Sequence, residues 1–417
     1  MSEQMSAAVP RAQSDRFIVV SSDCHAGLPI ADYKPYIEEK YHEVLDMAVP
    51  ITIEMSQKAS ESFLIKDIND QWRVGIEQQL TGAWDYDERV KMLNADGIAA
   101  EIIFPDGITE INTPPFGAGL SMPTKDMVPD LQWAGAMAHN RWLAEFCANN
   151  PDRHHGVGII PLLWDVELAV TNTRWCAENG LRHVMIPLMT NEYASYNDLK
   201  YDPFWQACQD LGVMVHFHSG PGPMDDFFGP GFPAEPADHR PGAVGLYVSE
   251  VMWWLYRPLA FMIWGGVFER FPKLKACMTE GGTNWMLVPW LRMLDFHATE
   301  GPESAKLGNY KSHLSMMPSE YFMRNVGVGA SCAKRADLEV WSTLGKDKLM
   351  WGSDYPHPEG TWPETHTRLQ ENFSGIEETD LRKLLGENAV AWYGMSRDAL
   401  QTLANDIGPT YSEFEVV

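Results

Sequence analysis

Side chains of metal-binding type fall in short, ordered groups along this chain. Asp23 and His25 are separated by one residue, as are His216 and His218. Glu280 precedes Gly281-Gly282, and Asp354 opens the stretch Asp354-Tyr355-Pro356-His357. Alternate residues of a strand share a face, so each pair points one way while Cys24 or Phe217 points the other. Carboxylates gathered out of water repel one another, and a divalent cation removes that cost. A cation held in this way lowers the pKa of a bound water or polarises a carbonyl or carboxylate. Any one such pair is more often structural than functional. The signal lies in all of them falling where strands end.

Elements must bring these residues together. Short β-branched and apolar runs cover 17–22, 99–104, 157–161, 183–187, 213–218, 274–279, 325–329 and 348–352. Several are almost continuously apolar, as strands buried on both faces should be. Helical patterns lie between them. Residues 85–95 open with acids suited to a helix N-terminus. Residues 132–149 carry apolar residues at helical spacing, 166–179 end before Gly180, and 202–211 end before Gly212, both good C-caps. Eight strands alternating with helices predict an α/β fold, a distorted (β/α)8 TIM barrel. An open doubly wound sheet is the alternative, but no GxGxxG follows a strand. Two segments break the rhythm: 26–83 after strand one, and the Gly- and Pro-rich 219–245 after strand five. Long loops after barrel strands lie on the active-site face, so both are expected to wall or cover the site.

Composition mainly excludes. The chain has 417 residues with Lys+Arg 32 against Asp+Glu 57, a net charge of −25. Nucleic acid and anionic membrane both want a basic face, so neither is an expected partner. Residues 1–15 lack the apolar core of a secretory signal and read as a flexible tail. The longest apolar run, 251–268, holds Arg257 and Pro258 and reads as a buried helix rather than a membrane span. Six cysteines without a CxxC pair give no disulfide framework and place the protein in the cytoplasm. The expected organisation is the tail, a barrel over 16–396, and a C-terminal extension over 397–417.

The Asp23/His25 pair, His218 in HFHSG, and Asp354 in WGSDYPHPEGTWP resemble the metal-dependent amidohydrolase superfamily. The branch is amidohydrolase family 2, around aminocarboxymuconate semialdehyde decarboxylase. Segments 84–105, 202–220, 265–282 and 384–394 support the resemblance, which spans roughly residues 16–395. It implies a divalent metal at the barrel's C-terminal face, with Asp23, His25, His218 and Asp354 around it. Two departures add oxygen donors: Asp23 and Glu280 stand where many members carry His. Oxygen donors shift preference from zinc towards manganese or iron. Strand four ends without Lys, so a carboxylated-lysine bridge is not expected. Glu280 could instead bridge a second ion served by His357.

The resemblance implies a small organic acid or amide as substrate, cleaved by metal-assisted hydrolysis or decarboxylation. Asp354 would move the proton, and His218 and Glu280 would act on the reacting group. The alternatives are a dinuclear iron or manganese monooxygenase with a reductase partner, and a non-catalytic partner subunit. His216, one layer deeper, is expected beside the ligands. His239 and Arg240 in the second insertion, Arg257, and Trp362 are candidates to meet substrate. His154 and His155 read as surface or capping residues. The 16 Trp and 22 Met, clustered around 252–254 and 285–290, suggest a homo- or hetero-oligomer.

Overall fold

The computed structural model describes residues 16–63, 72–105, 112–120, 122–124, 126–189, 192–230, 238–300 and 307–415. The expected tail and parts of both insertions lie outside these residues.

The strands are β1 Val20–Ala26, β2 Ala100–Pro105, β3 His154–Ile159, β4 His183–Met185, β5 Met214–His218, β6 Ala276–Thr279, β7 Val326–Ser331 and β8 Leu349–Gly352. All neighbours are parallel and follow chain order. The sheet curls until its ends meet. Asp354 N donates to Asp23 O (2.8 Å) and His25 N to Tyr355 O (2.8 Å), joining β1 to the chain just after β8. This is the expected (β/α)8 barrel, nearly closed.

Alternation along the strands sorts the side chains. Val20, Ile102, Phe104, Val157, Met185, Met214, Cys277 and Met350 form one buried cluster, to which Ala389, Val390, Leu400 and Ala404 add. These are the inward positions, so His216 and His218 continue the inward row begun by Met214. Outward positions meet the helices: Val215, Phe217, Ala276 and Met278 join the larger outer cluster. Leu400 and Ala404 belong to the helix Arg397–Ile407, so part of the segment expected as an extension packs on the barrel. Phe17 N also bonds Pro409 O at 2.8 Å.

Two boundaries differ from the sequence reading. The apolar run at 17–19 precedes β1, which instead runs through the polar Ser21–His25 stretch, with a register shift between Ser21 and Cys24. Polar residues resemble a loop in sequence, but here main-chain bonds on both sides hold them as strand. β3 starts early, at His154, because His154 is a buried partner of Glu101 (2.8 Å) rather than a surface residue. Helix ends follow local chemistry closely. Asp85 caps Tyr86–Ala95 by accepting from Glu88 N at 2.9 Å, and Asp202–Leu211 ends on a left-handed Gly212.

Asp96 follows the first of these helices. Its carboxylate accepts from Thr365 Oγ1 at 2.6 Å, and burial pushes its pKa up to about 6. A raised carboxyl pKa means that ionisation is disfavoured in the folded state. Stability is therefore greatest below the unfolded value near 4 and falls as pH rises through about 6. Asp96→Asn has no such loss. Its stability relative to wild type should improve by about 2–3 kcal/mol between pH 4 and pH 7, read from urea midpoints at each pH.

Candidate metal centre

Three strands place the cluster. β1 carries Asp23 and His25, β5 ends on His218, and Asp354 and His357 follow β8. His25 Nε2 lies 3.4 Å from Asp23 Oδ1 and 3.2 Å from Asp354 Oδ1. His218 Nε2 lies 3.2 Å from the same Asp23 oxygen. His357 Nδ1 lies 2.9 Å from Asp354 Oδ1. Asp23, His25, His218 and Asp354 are nearly or fully buried. Two sets of donor atoms each lie within 4.8 Å of one another: Asp23, His25 and His218, and His25, Asp354 and His357.

The electrostatics are those of carboxylates that need cations. Burial works to raise the Asp23 pKa, but His218 overcomes it and holds the carboxyl well below its ordinary range. The reciprocal effect lifts His218: burial opposes its charge, yet Asp23 brings its pKa to about 9. Asp354 is likewise lowered against burial by His357. Burial raises Glu280.

The donor set fits a metal ion. Among the described residues, neither ring nitrogen of His25 and neither carboxylate oxygen of Asp354 makes a well-aligned hydrogen bond, although all are buried and two imidazoles flank Asp354 Oδ1. Buried polar atoms are rarely left so. His218 Nδ1 lies 2.9 Å from Ser219 O. A carbonyl only accepts, so Nδ1 carries a hydrogen, and an ion that displaced the proton from Nε2 would find that nitrogen's lone pair facing the cluster.

Glu280 sits apart. Its carboxylate is 3.8 Å from His218 Nδ1, on the far side of that ring from Asp23, and is 31% exposed. Ser219 Oγ donates to it. His216 is fully buried beneath His218, with both ring nitrogens unpartnered. Its ring meets Phe104 (5.5 Å), His183 (5.5 Å) and Tyr393 (5.9 Å). Burial pushes its pKa down to about 3.

The structure does not bring the remaining candidates to the cluster. His239 packs its ring on Phe228 at 4.9 Å, and Arg240 Nη1 bonds Asp226 O at 3.3 Å. Arg257 lies on the exposed side of Ala243–Trp264, over the Phe261 ring. Helical phase turned it outward, which its neighbours in sequence did not reveal. Trp362 is buried against Tyr355 at 5.3 Å, behind the cluster rather than over it.

Residues the sequence reading missed are those without titratable groups. Ser331, at the end of β7, donates to Asp23 Oδ2. Phe104 packs beside both imidazoles, 4.6 Å from His218 and 6.0 Å from His25, whose rings also meet each other at 5.0 Å. Ser219 was visible beside His218 in HFHSG, but a serine there carries no signal of its own.

Three strand ends share a backbone device. Glu280, Cys332 and Asp354 all have left-handed φ, at 59°, 49° and 60°. Each follows a strand of the β6–β8 run. Such conformations cost non-glycine residues of order 1–3 kcal/mol and persist where the surroundings impose them. Cys332 lies outside the donor set. Cys332→Gly should therefore raise stability by up to about 1 kcal/mol, detectable as a higher melting temperature, without changing metal binding.

A cleft adjoins His218. Leu120, Ile159, Pro161, Trp164, Met185 and Leu188 supply much of its wall. Its polar side chains are already engaged: Gln132 donates to Phe116 O, and Trp164 Nε1 to Tyr193 OH.

A family model described as Amidohydrolase matches residues 113–395. The chain belongs to the amidohydrolase family. It is accordingly an enzyme of the metal-dependent hydrolase and carboxy-lyase class. This amidohydrolase is 25% identical over 316 residues to the 2-amino-3-carboxymuconate-6-semialdehyde decarboxylase of Dictyostelium discoideum, covering 76% of this chain and 78% of that one. Its fold matches an amidohydrolase from Mycobacterium avium subsp. paratuberculosis with a TM-score of 0.65 at 20% identity, over 92% of this chain and 99% of the other. It also matches a 5-carboxyvanillate decarboxylase from Novosphingobium aromaticivorans, complexed with manganese and a nitrobenzoic acid. There the TM-score is 0.61 at 18% identity, over 94% and 100% of the two chains. These relatives lend no support to the monooxygenase alternative. Among the described residues, no helix is long and apolar enough to cross a membrane.

Proposed function

We propose that this amidohydrolase is a decarboxylase of a small organic acid, dependent on one divalent ion, with manganese favoured. One observation carries the reading: buried donors from β1, β5 and the end of β8 converge in two overlapping sets that share His25, whose Nδ1 has no acceptor among the described residues. Asp23, His25, His218 and Asp354 would hold the ion. A neutral imidazole nitrogen has one lone pair, so His25 Nε2 serves one ion and not two. The mixture of oxygen and nitrogen donors suits manganese, which a structural neighbour carries.

When bound, the ion supplies Lewis acidity towards a substrate carboxylate or carbonyl. The protein supplies the rest. Loss of carbon dioxide leaves an electron pair on carbon, and a proton must arrive there. Asp354 is placed to relay it, taking the proton from His357, whose Nδ1 lies 2.9 Å from its carboxylate, and passing it to that carbon. Ser331 and Ser219 fix the carboxylates of Asp23 and Glu280. The cleft beside His218 would receive an uncharged, apolar substrate body and exclude water from it. Glu280 at the rim would repel a second carboxylate. The muconate relative supports decarboxylation over hydrolysis.

The test is carbon dioxide release from unsaturated and aromatic monocarboxylic acids by chelator-treated protein, before and after manganese. Release should depend on the metal and fall when a second carboxylate is added to the substrate. Oxygen uptake with a reductant, without carbon dioxide release, would contradict the proposal. Exposed Trp253, Trp285, Met293 and Phe296 support the expected oligomer, as a symmetric dimer. Sedimentation of a single 47.1 kDa species would remove that part.

A further inference from the structure

The ring of His25 lacks the usual means of orientation. A metal-binding imidazole ordinarily donates its second nitrogen to a carboxylate or carbonyl, which fixes the ring. Among the described residues, His25 Nδ1 has no such acceptor. Apart from the contacts of Nε2 with Asp23 and Asp354 at 3.4 and 3.2 Å, what holds the ring among the described residues is packing, chiefly stacking on His357 at 4.0 Å. The position of the ring must therefore be inherited from the main chain.

That main chain is clamped from both sides. His25 N donates to Tyr355 O at 2.8 Å. His25 O accepts from Arg89 Nη1 at 2.9 Å. Arg89 lies on the helix Tyr86–Ala95, with its side chain wholly buried. Its guanidinium is fixed as a fork: Nε and Nη2 each donate to Glu101 at 2.7 Å. Nη1 also donates to Gly82 O at 3.0 Å, at the end of the first insertion. Its Cζ stands 5.2 Å from the Tyr355 ring, next to Asp354. Glu101 is completed by His154. One guanidinium thus touches the carbonyl of one candidate ligand and the neighbour of another.

We propose that Arg89 is a positioning residue for the metal centre, setting where His25 and Asp354 present their donor atoms. The bland account makes it glue between a helix and the sheet. The two accounts differ in what its replacement does to metal affinity. The inference rests on the metal reading given above.

Arg89→Lys keeps a cation opposite Glu101 but loses the fork, so it cannot hold Glu101 and both carbonyls together. In the full-length protein, calorimetric titration with manganese chloride should show affinity weakened about 10–100-fold, the usual effect of removing an orienting partner. The control is Asn325→Ala. Asn325 bonds Pro272 O and Leu274 O at the opposite end of the barrel, so its loss should lower the melting temperature and leave manganese affinity unchanged. If Arg89→Lys does not fold, Arg89→Met with Glu101→Met removes both buried charges together and should show the same weakening. Unchanged affinity in the Arg89 variants, or equal weakening in Asn325→Ala, overturns the inference while sparing the metal reading. Failure of the wild type to bind manganese overturns both.

Discussion

Asp354→Asn should lower turnover about 10²–10⁴-fold while leaving the protein folded. The substitution keeps size and shape in a buried, left-handed position. It removes one negative charge from the donor set and the group proposed to move the proton. His357, 2.9 Å away, would lose the partner that holds it. The check is steady-state kinetics of the manganese-loaded variant beside circular dichroism and a melting curve. An intact fold with turnover within tenfold of wild type would remove Asp354 from the chemistry.

The largest stability effect is expected from Glu101→Leu, at about 3–5 kcal/mol of destabilisation. Glu101 and Arg89 are both fully buried and bonded twice at 2.7 Å. Burial opposes the charge on each, yet each holds the other ionised. Losing the acid leaves a guanidinium without a counter-charge in the helix layer. Removing both charges in the double variant Arg89→Met with Glu101→Met should cost much less, because no ion is then stranded. Urea unfolding of the two variants measures the contrast. Similar losses in both would mean that packing, not charge pairing, dominates there.

These two sites were unequally legible. Asp23, His25, His218 and Asp354 could be read because strand parity and position at strand ends are local properties of the chain. The barrel was readable for the same reason, since nearly every strand is a short apolar run. Glu101 and Arg89 were not singled out. They lie 12 residues apart on a strand and a helix, and their pairing exists only once the helix packs back on the sheet. His154 was misread as a surface residue because its partner is that same hidden carboxylate. Arg257 is turned outward by helical phase, and His239 and Arg240 meet Phe228 and Asp226, placements that no periodic signal in the sequence gives. Glu280 was placed at the correct strand end, but its left-handed φ and its contact with Ser219 set it to one side of His218. Nothing in residue type could indicate that. The −25 charge proved mostly a surface property. Its informative part is the few acids turned inward at one mouth of the barrel.

The central claim is that Asp23, His25, His218 and Asp354 together hold one divalent ion. Manganese titration followed by electron paramagnetic resonance, on chelator-treated wild type and His218→Ala, tests it most directly. The account predicts one tightly held ion per wild-type chain and affinity at least about 100-fold weaker in the variant. No bound manganese in the wild type, or equal affinity in both proteins, would contradict it.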